Sequence, residues 1–265
     1  MPEATAAAAW GAELARWAIP DAVVARAGAS PYFFEVGEFA TRADEALGRQ
    51  RHSVSDAMAL QALPRGGSVL DVGCGAGAAS LPLAERAGLL LAVDESTELL
   101  DAFAERAVAS GTPFRTFAGR WPEVAGEVPV ADVAVCHHVA YNVADLGGFA
   151  AALGSHARRR VVLELTSSHP LAWTSPYWRA LQDVVRPDGP VAADAEALLR
   201  ELGLDVRAVS WRQPRQQLDD AAIGRLARRL CLGPDRYADL TAALAEMPPP
   251  RWRDLSTLWW DNGGT

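Results

Sequence analysis

The amino-acid sequence predicts an α/β protein: a doubly wound, mostly parallel sheet of seven strands with an N-terminal helical lid. Three observations lead there. From Ser68 onward, short apolar runs alternate with stretches of helical period, the pattern of repeated strand-helix units around a parallel sheet. The first of those runs passes straight into a glycine-rich turn, Gly73 to Gly77. The 67 residues before it instead show helical spacing and an aromatic cluster.

Within the lid, residues 1–63, Trp10, Leu14 and Trp17 fall at i, i+4 and i+7 of a helix over 6–18 that Pro20 stops. Ser30 to Leu63 opens on Pro31, Tyr32, Phe33 and Phe34 and continues as two helices. The core, residues 64–265, carries strands at 68–72, 89–94, 113–118, 131–136, 159–165 and 205–211, and the Trp- and Leu-rich segment 251–260 completes the seven. Leu146, Phe149, Ala150 and Leu153 form a helical stripe behind Asp145, a natural N-cap. Ile223, Leu226, Ala227 and Leu230 repeat it, with Asp219 and Asp220 at the start and Arg228 and Arg229 at the end, as a helix dipole prefers. An insertion at about 166–190 interrupts the pattern after the fifth strand.

A net charge of -8 gives no electrostatic footprint for a phosphate backbone, so nucleic acid is not expected as a partner. All 25 basic residues are arginine. Cys74, Cys136 and Cys231 lack a C-x-x-C pairing and are odd in number, which argues against a disulfide framework and for the cytoplasm. Glu3 stands where a signal peptide needs positive charge, and no apolar run reaches membrane-spanning length. A monomer or homodimer is expected. The run Arg158-Arg159-Arg160, away from the ligand edge of the sheet, reads as a solvated charge cluster.

The chemistry concentrates in Ser68-Val69-Leu70-Asp71-Val72-Gly73-Cys74-Gly75-Ala76-Gly77, a buried strand, a glycine turn and then an expected helix. Glycines there can take positive φ and admit a ligand against the backbone, and a helix N-terminus beyond them would offer oriented N–H donors. Asp94 follows Gly77 by 17 positions, at the end of the next apolar run, where a carboxylate can accept hydrogen bonds from both hydroxyls of a ribose.

This constellation resembles the first motif of the class I S-adenosylmethionine (SAM)-dependent methyltransferases, a Rossmann-like family, over about residues 50–165. The resemblance implies SAM as donor and S-adenosylhomocysteine (SAH) as product. It implies that Gly73, Cys74, Gly75 and Gly77 contact the amino-acid part of SAM, that Asp71 positions its ammonium, that Asp94 binds the ribose, and that Glu95 and Leu99 flank the adenine. Many relatives place an acid after the third strand; here Ala118-Gly119-Arg120-Trp121 stands there, leaving adenine to backbone groups and Trp121, unless Trp121 is core filler. Arg120 and Cys136 complete the expected donor set.

Gly73-x-Gly75-x-x-Ala78 also fits a relaxed dinucleotide fingerprint, so an NAD(P)-dependent oxidoreductase is an alternative, but Asp71 would face a pyrophosphate unfavourably. A catalytically silent SAM-fold scaffold is another.

After the fourth strand, Cys136-His137-His138-Val139-Ala140-Tyr141-Asn142 reaches the ligand edge. His138, His137 and Tyr141 are the candidate catalytic groups, because histidine titrates near neutrality and a hydroxyl acceptor needs a base. Adjacent histidines rarely present both rings to one ion, and no metal site is expected. Absence of an Asn-Pro-Pro-Tyr type segment, with the acidic charge, points to a small-molecule acceptor. His169, Trp173 and Tyr177 of the insertion could wall its pocket with Tyr32, Phe33 and Phe34, or simply seal the lid onto the sheet.

Overall fold

The computed structural model describes residues 5–33 and 35–263. Helices α1 (Ala6–Ala15), α2 (Asp21–Val24), α3 (Val36–Leu47) and α4 (Val54–Ala62) precede β1 (Gly67–Val72) and β2 (Ala87–Asp94). Then come α5 (Thr97–Ser110), β3 (Phe114–Ala118), β4 (Ala131–His137), α6 (Leu146–Ser155), β5 (Ala157–Thr166), α7 (Ser175–Gln182) and α8 (Ala192–Glu201). The chain closes with β6 (Arg207–Pro214), α9 (Asp220–Arg229), α10 (Tyr237–Glu246) and β7 (Trp252–Asp261).

The sheet runs β3-β2-β1-β4-β5-β7-β6, with β7 antiparallel to both neighbours and the other pairings parallel. Strand order reverses between β1 and β4, which opens a crevice at their carboxyl ends. The central strands read as unbroken apolar runs because both faces are covered: Val69, Leu70, Val133, Ala134, Val161 and Val162 are all fully buried. One apolar layer joins the sheet to α6, α8 and Trp10 of α1. The opposite layer joins it to Ala59 of α4 and to Leu100 and Phe103 of α5. A third cluster, built by Val23 of α2, Tyr177 and Trp178 of α7, Leu226 of α9 and Leu240 of α10, is the separate core of a helical cap.

Local chemistry sets the helix ends. Ser53 and Asp56 form a reciprocal capping box on α4, Asp145 accepts from Gly148 N–H at α6, and Asp219 accepts from Ala222 N–H at α9. Gly111 ends α5 in the left-handed conformation at φ 72°.

The structure corrects two expectations. The helix expected after the glycine turn is only a short 3-10 segment, Leu81–Leu83: Pro82 removes an amide there and β2 begins at Ala87, so no aligned helix N-terminus faces the turn. Nor is Arg160 solvated. It is buried, donating from Nε to Asp261 at 2.6 Å and from Nη1 to the Met58 carbonyl at 2.9 Å, which pins α4 to β5 and β7. The N-terminal segment is divided: α1 and α4 pack into opposite faces of the sheet, while α3 lies over the glycine turn through Phe39.

Candidate active site

Gly73, Gly75 and Gly77 all have positive φ, 69°, 52° and 97°. They serve different contacts. A Cβ on Gly77 would lie 2.5 Å from Leu81 Cδ1 and 2.9 Å from Phe103, so this glycine lets the turn close onto α5. A Cβ on Gly73 would meet Val139 at 2.4 Å, and one on Gly75 would meet the Phe39 ring at 2.8 Å. The space above Gly75 is thus covered by α3.

Asp94 ends β2 beside this turn. Its Oδ2 accepts from Gly75 N–H at 2.9 Å and its Oδ1 from Ser96 N–H at 3.0 Å, which leaves each oxygen a further lone pair. Ser80, from the far side of the turn, donates to Asp71 Oδ2 at 2.6 Å, while Asp71 Oδ1 is buried without a partner. Burial pushes the Asp71 carboxyl up to about 6 against the opposing Ser80 hydrogen bond. A cation placed beside Oδ1 would relieve that penalty, so the residues fit the ammonium-bearing donor that the motif implies.

The remaining expected donor residues spread around this centre. Glu95 is exposed and pairs with Arg120 at 3.3 Å, and Leu99 is buried in α5. Trp121 is buried edge-on to His156, ring centroids 4.9 Å apart, with its Nε1–H unpartnered. Cys74 and Cys136 are buried, which raises both thiols well above their ordinary value.

One strand over, β4 delivers the two histidines. His138 holds φ 63°, a left-handed conformation uncommon for a residue with a side chain, locked by its N–H bond to the Glu164 carbonyl at 2.7 Å. That bend sets His138 Nε2 3.1 Å from Glu164 Oε1, with His137 Nδ1 3.9 Å from Oε2 and His137 Nε2 buried without a partner. Burial would raise the Glu164 carboxyl, but His137, His138 and the Ser55 hydroxyl together hold it well below the usual carboxylate range. Burial lowers His138 and outweighs the opposing pull of Glu164. The pair therefore consists of a carboxylate and a neutral imidazole at neutral pH. Nε2–H donates to Glu164, so Nδ1 keeps its lone pair. A relay of hydroxyls supports the carboxylate from behind: Trp211 Nε1–H donates to Thr257 at 2.9 Å, and Thr257 and Ser55 share a hydrogen bond of 2.7 Å.

Tyr141 donates to the Thr166 carbonyl at 2.8 Å and is buried, which drives its hydroxyl far up. Its proton stays in place. His169 stacks on Trp17 at 3.7 Å, and burial with nearby Arg186 brings it down to about 3. Tyr177 is buried and donates to the Met247 carbonyl, Trp173 lies edge-on to it at 6.0 Å, Phe33 is covered by Arg228 at 3.9 Å, and Tyr32 is exposed. Phe34 lies outside the described residues. Among the described residues, no group of three or more His, Cys, Asp or Glu is placed to hold a metal ion, and no helix is long and apolar enough to cross a membrane.

Glu164 was not singled out by sequence reasoning. Its signal was a lone carboxylate inside the apolar run Val161-Val162-Leu163-Glu164-Leu165. Ser55, Ser80 and Phe39 carried none, because only folding brings them to the sheet edge.

Residues 69–159, which hold the glycine turn, Asp94 and both histidines, match the family model described as a methyltransferase domain. Over this segment the chain is similar to methyltransferase domains. The methyl donor of the family is SAM. A protein of Haemophilus influenzae is 34% identical over 104 residues, 38% of this chain and 38% of the Haemophilus chain, so the match spans well under half of that relative. Solved structures share the methyltransferase fold at lower identity. The YcgJ protein of Bacillus subtilis aligns with TM-score 0.52 at 17% identity, over 83% of this chain and 98% of its own. Magnesium protoporphyrin IX methyltransferase from Synechocystis, solved with bound SAH, aligns with TM-score 0.50 at 17% identity, over 82% and 92%. A candidate sarcosine dimethylglycine methyltransferase from Galdieria sulphuraria gives 0.54 at 15% identity, over 87% and 89%.

Proposed function

We propose that this chain transfers the methyl group of SAM to a small-molecule acceptor and releases SAH. The observation that carries the reading is the convergence, on one sheet edge, of the glycine turn with Asp71 and Asp94 and of the His138–Glu164 pair one strand away. Gly73, Gly75 and Asp94 would hold the donor, with Asp71 Oδ1 beside its ammonium; Glu95, Leu99 and Trp121 border the adenine end. Bound there, SAM supplies an electrophilic methyl on its sulfonium.

The chain's own work is alignment and proton removal. Glu164 fixes the tautomer of His138, whose Nδ1 accepts a proton from a hydroxyl or amine acceptor. Helix α3 acts as the movable cover, and Phe39 must leave Gly75 for the donor to enter. The magnesium protoporphyrin and sarcosine methyltransferases named above, both small-molecule enzymes by description, support the choice of acceptor class.

Calorimetry with SAH and SAH release over a panel of small acceptors test this. His138→Ala should lose about 10²- to 10⁴-fold in turnover and keep its SAH affinity. Glu164→Gln should move the acid limb of the pH-rate profile to lower pH, because the carboxylate is what raises His138. A parent protein that ignores SAH would end the donor assignment; full turnover in His138→Ala would end the base assignment.

A further inference from the structure

Three arginines meet beyond the carboxyl edge of the sheet without a carboxylate among them. Arg253 projects from the start of β7, Arg215 follows the end of β6, and Arg42 comes from α3. The pairing of Gln213 with Arg253, and the Arg215 N–H bond to the Arg251 carbonyl, place the first two diagonally across neighbouring strands. A hydrogen bond between Gln216 and Glu45 ties that corner to α3. Arg215 lies over Trp173 at 4.8 Å and Arg42 over Phe39 at 5.4 Å.

Among the described residues none of the three enters an ion pair. Nearby, Arg212 pairs with Asp254, and Arg225 and Arg229 both reach Glu38. Arg253 is half-buried, and burial with the repulsion of Arg42 and Arg215 brings it down to about 10, with Glu164 alone opposing. Uncompensated positive charge is costly at a half-buried position such as Arg253, and it is out of character for a protein of net charge -8.

The cluster faces the reacting centre. Arg253 stands on the same face of β7 as Thr257, which pairs with Glu164, and its charge is felt by both Glu164 and His138. Four residues of strand span about 13 Å. A molecule held at both Arg253 and His138 would have to span a distance of that order.

We propose that Arg253, flanked by Arg42 and Arg215, binds an oxyanion of the methyl acceptor, so that the acceptor is a small organic acid whose body lies against Trp173 and whose nucleophile reaches His138. The inference rests on the methyltransferase reading above. A guanidinium fork matches a carboxylate with two parallel hydrogen bonds, and two further cations add field without adding geometric demand.

The test is calorimetric, with benzoate as probe and benzyl alcohol as its uncharged counterpart, on protein saturated with SAH. Benzoate should bind one to one and at least tenfold tighter than benzyl alcohol. Arg253→Gln should lose that preference, Arg253→Lys should keep part of it, and both should hold SAH within twofold of the parent. Arg42→Gln, at an exposed position, gives the same reading if Arg253→Gln fails to fold. Equal binding of the two probes, or no benzoate binding, overturns the proposal. A parallel loss of SAH affinity in Arg253→Gln also overturns it, since the arginines would then hold the donor's own carboxylate. Should SAH not bind the parent at all, the methyltransferase reading fails separately. Benzoate titrated into the free protein then decides the anion site by its dependence on Arg253.

Discussion

Asp94 does two jobs with one carboxylate. It clamps the glycine turn to β2 through Gly75 and caps the start of the next segment through Ser96, with lone pairs left over for a ribose. Asp94→Ala should weaken SAH at least tenfold, about 1.4 kcal/mol, in calorimetry, and unchanged affinity would remove the ribose role. Asp71 differs in kind, being buried with one oxygen unpartnered. Both acids were legible in the sequence because each ends or interrupts an apolar strand beside a glycine turn. His138 was legible as a polar residue leaving β4, but its left-handed backbone was not. That conformation depends on the Glu164 carbonyl, 26 positions away, holding its amide.

At the scale of elements, helix boundaries followed local chemistry where a cap was present, as with Ser53, Asp145 and Asp219. The segment after the glycine turn went otherwise, since Pro82 and the early start of β2 limit it to a 3-10 turn. Anion binding by a helix N-terminus is thereby lost, and the proposed donor site would rest on Asp71, Asp94 and the turn amides. Helix α3 is held by ion pairs of Glu38 with Arg225 at 2.8 Å and of Asp44 with Arg106 at 2.8 Å, both at least partly solvated and individually weak. It also seats Ala43 and Phe39 in a small apolar cluster with Ala76 and Ala102. Phe39→Ala, which uncovers Gly75, should speed SAH association several-fold in stopped-flow tryptophan fluorescence; an unchanged rate would show that α3 does not gate the donor site.

Across the whole molecule, α2, α7, α9 and α10 build a cap with its own core, and Trp17, His169, Arg186 and Trp178 bind that cap to the N-terminal chain. His169 is neutral there down to about pH 3, whereas in the unfolded chain it takes a proton near 6.5. The unfolded state therefore binds more protons between those values, and stability is lost as pH falls through that window. His169→Phe should lessen the drop in urea midpoint between pH 7 and pH 4.5, and an identical drop would clear His169 of that role.

What the sequence determined alone is what local pattern can encode. Strand positions follow from apolar runs, helix starts from caps, and the tight turn after β1 from glycines that must adopt positive φ next to a terminal acid. The tertiary structure decided everything that depends on distant residues sharing one edge of the sheet. Glu164 meets His138 because β4 and β5 pair in one particular register, Ser55 and Thr257 meet behind it across 202 positions, and Arg42 joins Arg215 and Arg253 only when α3 folds over that edge. No local propensity specifies such encounters. They arise from strand register and the burial of apolar faces, which act on the chain as a whole.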